Sequence, residues 1–225
     1  MKNKKITMTY YRLIFAGLFI QFFTCLSAQD KTEGKVTFNI EYDAAFASAL
    51  PQEEIVLFSP EVTRGIAEIP KGVVVDGTNY IFFKDSSKFF NLYVMGREIN
   101  GNKKFAILEN AVNLNLGKPK ESNKKILGYN CKEMTAETVD GKTKYKFYYT
   151  DELNASYFPV RLSATLMNVF VLQYEIQTSQ MTKKAKAVNI DFLKLEEKDK
   201  IIPSEYQITT REDFQQLSGS SVISK

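Results

Sequence analysis

The 225-residue chain contains no histidine, no tryptophan and only two cysteines. Without an imidazole there is no His-based triad, no His general base and no His metal ligand, which removes the commonest catalytic machinery. No apolar run reaches the about 20 residues that a membrane-spanning helix needs. Continuous helical periodicity is scarce as well, which argues against a helical domain. What remains for chemistry is Ser, Lys, carboxylates and a thiol.

The N-terminus changes every later count. Lys2, Lys4, Lys5 and Arg12 precede the apolar run Leu13 to Phe23, and Ser27-Ala28 close the segment. Basic, apolar and small-residue regions in that order are the pattern of a secretory signal peptide cleaved near Ala28. Residues 1–28 hold four of the 30 basic side chains and none of the 26 acidic ones, so the remaining chain carries 26 of each. No net charge is left to attract nucleic acid or an anionic membrane. The expected product is exported, periplasmic or envelope-associated. Cys25 opens a second reading as a lipidated first residue, which would place the chain at the outer membrane. The residues before it, Phe22-Phe23-Thr24, differ from the Leu and small residues that such sites carry. With cleavage at Ala28, Cys131 stands alone and no internal disulfide forms, so a hydrophobic core has to hold the fold. The 197 residues left after removing 28 from 225 suffice for one domain, expected over 29–217 with a frayed tail at 218–225.

Period-two alternation dominates. Val36, Phe38, Ile40 and Tyr42 alternate with polar residues, and Asp43 to Leu50 is the best short helix before Pro51. Further strands are expected at 54–58, 62–69, 79–84, 89–96, 105–109 and 113–116. Asp76-Gly77, Asp85-Ser86-Ser87 and Asn100-Gly101-Asn102 supply turns between them. The strongest local signal is the stretch Lys124 to Leu153, where an Asp140-Gly141 turn sets Glu137 opposite Lys144, Ala136 opposite Tyr145 and Met134 opposite Phe147. Leu127, Tyr129 and Cys131 share one parity and Met134 and Ala136 the other, which predicts a bulge near Lys132-Glu133 and Cys131 opposite Tyr149. Phe170, Leu172, Tyr174 and Ile176 form one row, and Val188, Ile190 and Phe192 the next, with a turn at Met181 to Lys183. A helix from Arg211 to Leu217 follows Thr210 and Asp213 at capping-box spacing. Many antiparallel strands, few helices and no repeat predict a mainly β fold: a curved antiparallel sheet or half-open barrel closed by short helices.

Candidate chemistry is sparse. Ser122 and Lys125 match Ser-x-x-Lys but lie in a lysine-rich stretch without the accompanying motifs. Cys131 on an inward face reads as a small core residue. Glu53-Glu54, Asp151-Glu152 and Glu196-Glu197 read as solvated edges, because neighbours on a strand face opposite ways and no EF-hand spacing occurs. Lys142, Lys144 and Lys146 interleave with Tyr145, Phe147 and Tyr149, which on a strand separates cations from rings and forms no nucleic-acid platform. No catalytic residue, metal site or cofactor is assigned. The aromatic load is the one positive sign, since doubled rings at Phe82-Phe83 and Phe89-Phe90 put one ring on each face of the sheet. The second face is then either covered or left to a ligand.

Several segments resemble a known group of secreted envelope proteins. Ile126-Leu127-Gly128-Tyr129-Asn130-Cys131-Lys132 with Tyr148-Tyr149-Thr150-Asp151-Glu152-Leu153 resembles the central motif of the GLPGLI family and of an uncharacterised lipoprotein-sorting-like family. Leu50-Pro51 with Arg64, Met95-Gly96 with Lys103-Lys104-Phe105-Ala106-Ile107, Leu172-Gln173-Tyr174-Glu175 and Ile202-Pro203-Ser204-Glu205-Tyr206 resemble other segments of the second family. The GLPGLI hexapeptide is absent, which favours the lipoprotein-sorting-like family. The resemblance implies a curved half-barrel with an apolar concavity, like the carriers that escort lipoprotein acyl chains, and no catalytic residues. The expected function is therefore non-enzymatic binding of a lipid, acyl chain or other hydrophobic ligand on Met134, Ala136, Tyr145, Phe147, Tyr149, Phe170, Leu172 and Tyr174. The alternative is a structural or interaction domain with a filled core.

Overall fold

The computed structural model describes residues 31–68, 79–95, 103–159 and 169–217. The N-terminal segment with Cys25, the Asp76-Gly77 and Asn100-Gly101-Asn102 turns, and the tail from 218 lie outside the described residues. From Lys31 onward the chain is one compact unit.

Alternating apolar residues become strands throughout. These are β1 (Gly34–Asp43), β2 (Glu53–Phe58), β3 (Val62–Ile66), β4 (Tyr80–Phe83), β5 (Lys88–Met95), β6 (Lys103–Glu109) and β7 (Leu114–Leu116). They continue as β8 (Lys120–Ile126), β9 (Tyr129–Thr138), β10 (Lys144–Thr150), β11 (Phe170–Gln177), β12 (Thr182–Phe192) and β13 (Tyr206–Thr210), followed by the helix α1 (Arg211–Leu217). All thirteen join one curved, open sheet in the order β13-β6-β5-β4-β3-β2-β1-β12-β11-β10-β9-β7, with β8 also on β9. Neighbours are antiparallel except β13, which runs parallel to β6. The mainly β, half-open architecture expected from the alternation is the one found. No helix among the described residues is long and apolar enough to cross a membrane.

The central hairpin keeps its expected register, with Glu137 opposite Lys144, Ala136 opposite Tyr145 and Met134 opposite Phe147. Its turn differs. Gly141 alone takes a positive φ, of 69°, and its N–H bonds to Thr138 O at 2.8 Å, so the turn spans Thr138 to Gly141. The Asp140 carboxylate then accepts the Thr138 hydroxyl at 2.6 Å and the Lys142 N–H at 3.1 Å. The two-residue turn with both φ values positive lies elsewhere, at Leu127 (52°) and Gly128 (88°), between the paired residues Ile126 and Tyr129 of β8 and β9. A left-handed leucine is strained, because its Cβ crowds the next carbonyl. Leu127 is 42% exposed, so its side chain buries little to offset this. Leu127→Asn is expected to raise the unfolding free energy by about 1 kcal/mol, read as a higher urea midpoint at unchanged slope.

Other expectations are corrected. The segment Asp43 to Leu50 is no helix: β1 extends to Asp43 and only a 3-10 turn forms at Ala47–Ala49. So short a helix cannot repay its nucleation, and the Gln52 amide takes the Ala47 and Leu50 carbonyls instead, at 3.0 and 2.9 Å. The bulge does not fall at Lys132-Glu133 against β10, where pairing runs unbroken to Tyr149 opposite Lys132. The register shifts instead in β8, between Glu121 and Lys125, and in the β10–β11 pair at Tyr148/Tyr149. Cys131 and Met134 are nonetheless both buried in one cluster, as the parity change required. The turn before β12 is Thr178 to Met181, and Lys183 belongs to the strand opposite Tyr42.

The doubled aromatics do face opposite ways. Phe83 and Phe90 join Val62, Ile81, Leu92 and Ala106 on one face, covered by Ile202 and Tyr206. On the other, Phe89 stacks on Tyr80 at 5.1 Å, and Tyr93, Phe105 and Ile107 are covered by Phe214 of α1. Thr210 caps α1 through the Asp213 N–H at 3.2 Å, and Arg211 pairs with the buried Glu109 carboxylate.

Candidate functional site

The eight expected ligand-facing residues come together. Ala136 lies opposite Tyr145 and Tyr145 opposite Ile176, and Met134 opposite Phe147, which faces Tyr174. With Tyr149, Phe170 and Leu172 they line the inner face of β9, β10 and β11, continuous with Val36, Phe38 and Ile40 of β1 and Val56 and Phe58 of β2. Seven of the eight are at most 6% exposed. Tyr145 is half-buried and stacks on Phe147 at 5.8 Å. Ala136 and Tyr145 also form part of the wall of an open groove of about 530 Å³, whose other walls include Lys144, Lys146, Glu137 and Glu175.

The filling comes partly from the chain that leaves β10. Leu153 is buried, Tyr157 packs between Phe38 and Phe170 at 5.4 and 5.8 Å, and Phe158 lies 4.5 Å from Phe147. Tyr157 is tied down by its own backbone, donating to Val169 O and accepting from Val171 N–H, each at 3.0 Å. Lys84, at the end of β4, clasps the same segment. Its Nζ donates to Ser156 O and to Ser156 Oγ at 2.9 Å and to Ser59 O at 2.6 Å, and burial pushes the amine down to about 8.

Sequence reasoning missed the polar centre of this face. Glu53 is exposed, but Glu54 alternates inward with Val56 and Phe58 and is 3% exposed, so the pair is no solvated edge. Tyr174 Oη donates to Glu54 Oε2 at 2.8 Å and Lys183 Nζ at 3.3 Å. Burial first, and the nearby Glu54 charge second, push the Tyr42 phenol up to about 12. The same two causes raise the enclosed Tyr80 and Tyr174 phenols well above their ordinary value. For Tyr157 burial again dominates, followed by Tyr80, Tyr174 and Glu54. The Tyr80 hydroxyl is buried against both the Glu54 carboxylate and the Tyr157 hydroxyl, in contacts short of full hydrogen-bond geometry. Tyr80 reaches this position because Gly65 opposite it has no side chain, and a Cβ there would enter the Tyr80 ring.

Ser122 and Cys131 make only local hydrogen bonds to neighbouring backbone. Ser122 Oγ accepts the Lys124 N–H at 3.1 Å, a bond within its own strand. Cys131 is 2% exposed, its thiol donates to Tyr129 O at 3.7 Å, and burial raises its pKa. Asp151, Glu152, Glu196 and Glu197 are exposed. Lys146 pairs with Glu133 at 3.1 Å rather than joining a cationic row. No group of three metal-ligating side chains gathers among the described residues.

No protein-family model and no curated protein sequence matches the chain. Among solved structures it is similar to PNGF-II in two crystal forms, each with a TM-score of 0.56, at 14% and 15% identity. The alignments cover 83% of this chain and 32% and 33% of PNGF-II, so the chain spans about a third of that protein's length. The likeness is one of fold. LprF from Mycobacterium bovis aligns over 79% of this chain and 92% of its own, with a TM-score of 0.31 and 10% identity, and adds nothing to that.

Proposed function

We propose that the chain is a non-enzymatic, exported binding protein of the cell envelope. It holds a lipid, acyl chain or other hydrophobic ligand on its inner sheet face, as the lipoprotein-sorting-like motifs imply. The observation that carries this reading is the cover over that face. A continuous apolar surface is roofed there by the irregular segment Leu153 to Phe158, whose Tyr157 lies fully buried in the core. The ligand enters by exchange with Tyr157 and Phe158, and the eight inner residues are its contact surface.

Native mass spectrometry of protein purified from its own envelope tests this, together with fluorescence titration by an acyl probe. A lipid-sized adduct is expected, and Phe158→Ala, which opens space over Phe147, is expected to tighten probe binding about tenfold, near the burial of two methylenes. A homogeneous ligand-free mass with no fluorescence gain in either protein establishes the second reading, an interaction domain with a filled core. That reading is favoured by the near-complete burial of the inner row. N-terminal sequencing of the exported form separates cleavage at Ala28 from lipidation at Cys25.

A further inference from the structure

We infer that the outer face of the sheet carries a site for a phosphate monoester on a hydroxylated body such as a sugar, held by Lys125, Lys184 and Lys186 beside the β8–β9 turn. The site is separate from the inner contact surface and does not rest on the lipid reading. Along β12, Ala185 and Ala187 are buried while Lys184, Lys186 and Val188 stand on the opposite, exposed side. The β8–β9 turn meets them across an open groove of about 500 Å³, with Lys125 and Leu127 on its own wall. That volume falls in the range of small-ligand sites.

The positive charge of this groove is not answered within the chain. Lys184 sits between Glu41 and Glu175 on the neighbouring strands, but Lys186 sits between the neutral Asn39 and Gln173. Lys124, Lys125, Lys184 and Lys186 form no ion pair among the described residues, whereas nearby Lys146 is taken by Glu133. Lys124 rests instead on the Tyr148 ring, its Nζ 3.9 Å from the centre. Burial first, and Lys186 second, hold its amine below the ordinary lysine value. Cations crowded in this way disfavour the empty groove, and a bound anion relieves them.

The lining selects the anion. Its three lysines against one glutamate, Glu41, leave a net of two positive charges. A phosphate monoester carries about −1.5 to −2 at pH 7 and matches that balance, where a carboxylate would leave one cation over. Ammonium groups bind phosphate as point charges, and no arginine fork, which suits a planar carboxylate, lines the groove. Asn39, Gln173 and Glu41 supply donors and acceptors for hydroxyl groups. Leu127 and Val188, 42% and 43% exposed, offer apolar contact to the C–H edge of a sugar ring. Leu127 holds its strained backbone, at φ 52°, on this wall of the groove.

Calorimetric titration of the full protein with glucose 6-phosphate, glucuronate and glucose compares two charges, one and none on similar rings. Glucose 6-phosphate is expected to bind about tenfold tighter than glucuronate, and to weaken as salt is added. Lys186 is exposed and unpaired, so Lys186→Met retains the fold and is expected to weaken the sugar phosphate about tenfold, with a smaller loss in Lys186→Arg. Phosphatidylcholine vesicles containing phosphatidylinositol 4-phosphate present the same monoester on a lipid. Binding of glucose 6-phosphate assigns a free sugar phosphate, binding of the vesicles alone assigns a lipid head, and either supports the site when Lys186→Met weakens it. No binding of either, equal affinity for glucuronate, or affinity unchanged in Lys186→Met overturns the site. The acyl-probe titration of the inner face is unaffected by that outcome.

Discussion

Replacing Glu54 with leucine is expected to lower the unfolding free energy by about 3–5 kcal/mol, among the largest effects of any single change in this chain. The carboxylate is only 4% exposed in its side chain, and two groups depend on it. Lys183, itself 18% exposed, would be left with its ammonium against an apolar wall, and Tyr174 would lose the charge-assisted acceptor for its hydroxyl. The partial exposure of Lys183 lets its stem turn the charge toward water, which places the result near the lower bound. Lys183→Met alone is expected to cost less, about 1–3 kcal/mol, because Tyr174 still serves the carboxylate. The double variant, with both charges gone, is expected to be more stable than the two single losses sum to, by about 1–3 kcal/mol. Urea denaturation of the four proteins measures this coupling directly. Strict additivity would mean that Glu54 and Lys183 do not interact across the sheet.

Glu54 also shows where sequence reasoning reached its limit. A strand over 54–58 is legible, yet the two adjacent acids read alike as a solvated edge and only Glu53 is solvated. What decides between them lies far along the chain, since Tyr174 and Lys183 are 120 and 129 residues away. The anchor hairpin was readable for the opposite reason: its register follows from local parity, which a different turn left unchanged. The eight inner residues share a face because period two is enough to say so. What covers that face is an irregular segment, and no periodicity announces where Tyr157 and Phe158 will lie. The parallel pairing of β13 with β6 and the clasp of Lys84 on Ser156 have no local signature either.

Stability is expected to climb gently from about pH 8 to about 10 and to collapse above it, because Lys84 and the inner tyrosines act with opposite sign. Burial lowers Lys84 from 10.5 to about 8, so between those values the unfolded chain binds more protons than the folded one and stability rises with pH. The tyrosines behave the other way. Their folded values lie above the ordinary 10, at about 12 for Tyr42 and well above 10 for the enclosed Tyr80, Tyr157 and Tyr174. Above pH 10 the unfolded chain releases phenolic protons that the folded chain retains, so the stability they confer, complete below 10, is lost as pH rises further. Urea midpoints across this range should therefore pass through a maximum, and tyrosinate absorbance of the inner phenols should rise only with unfolding. Lys84→Met is expected to flatten the climb and leave the collapse in place. If the inner phenols titrate near 10 while the protein stays folded, water already reaches Glu54, and the core around it is open rather than roofed by Tyr157.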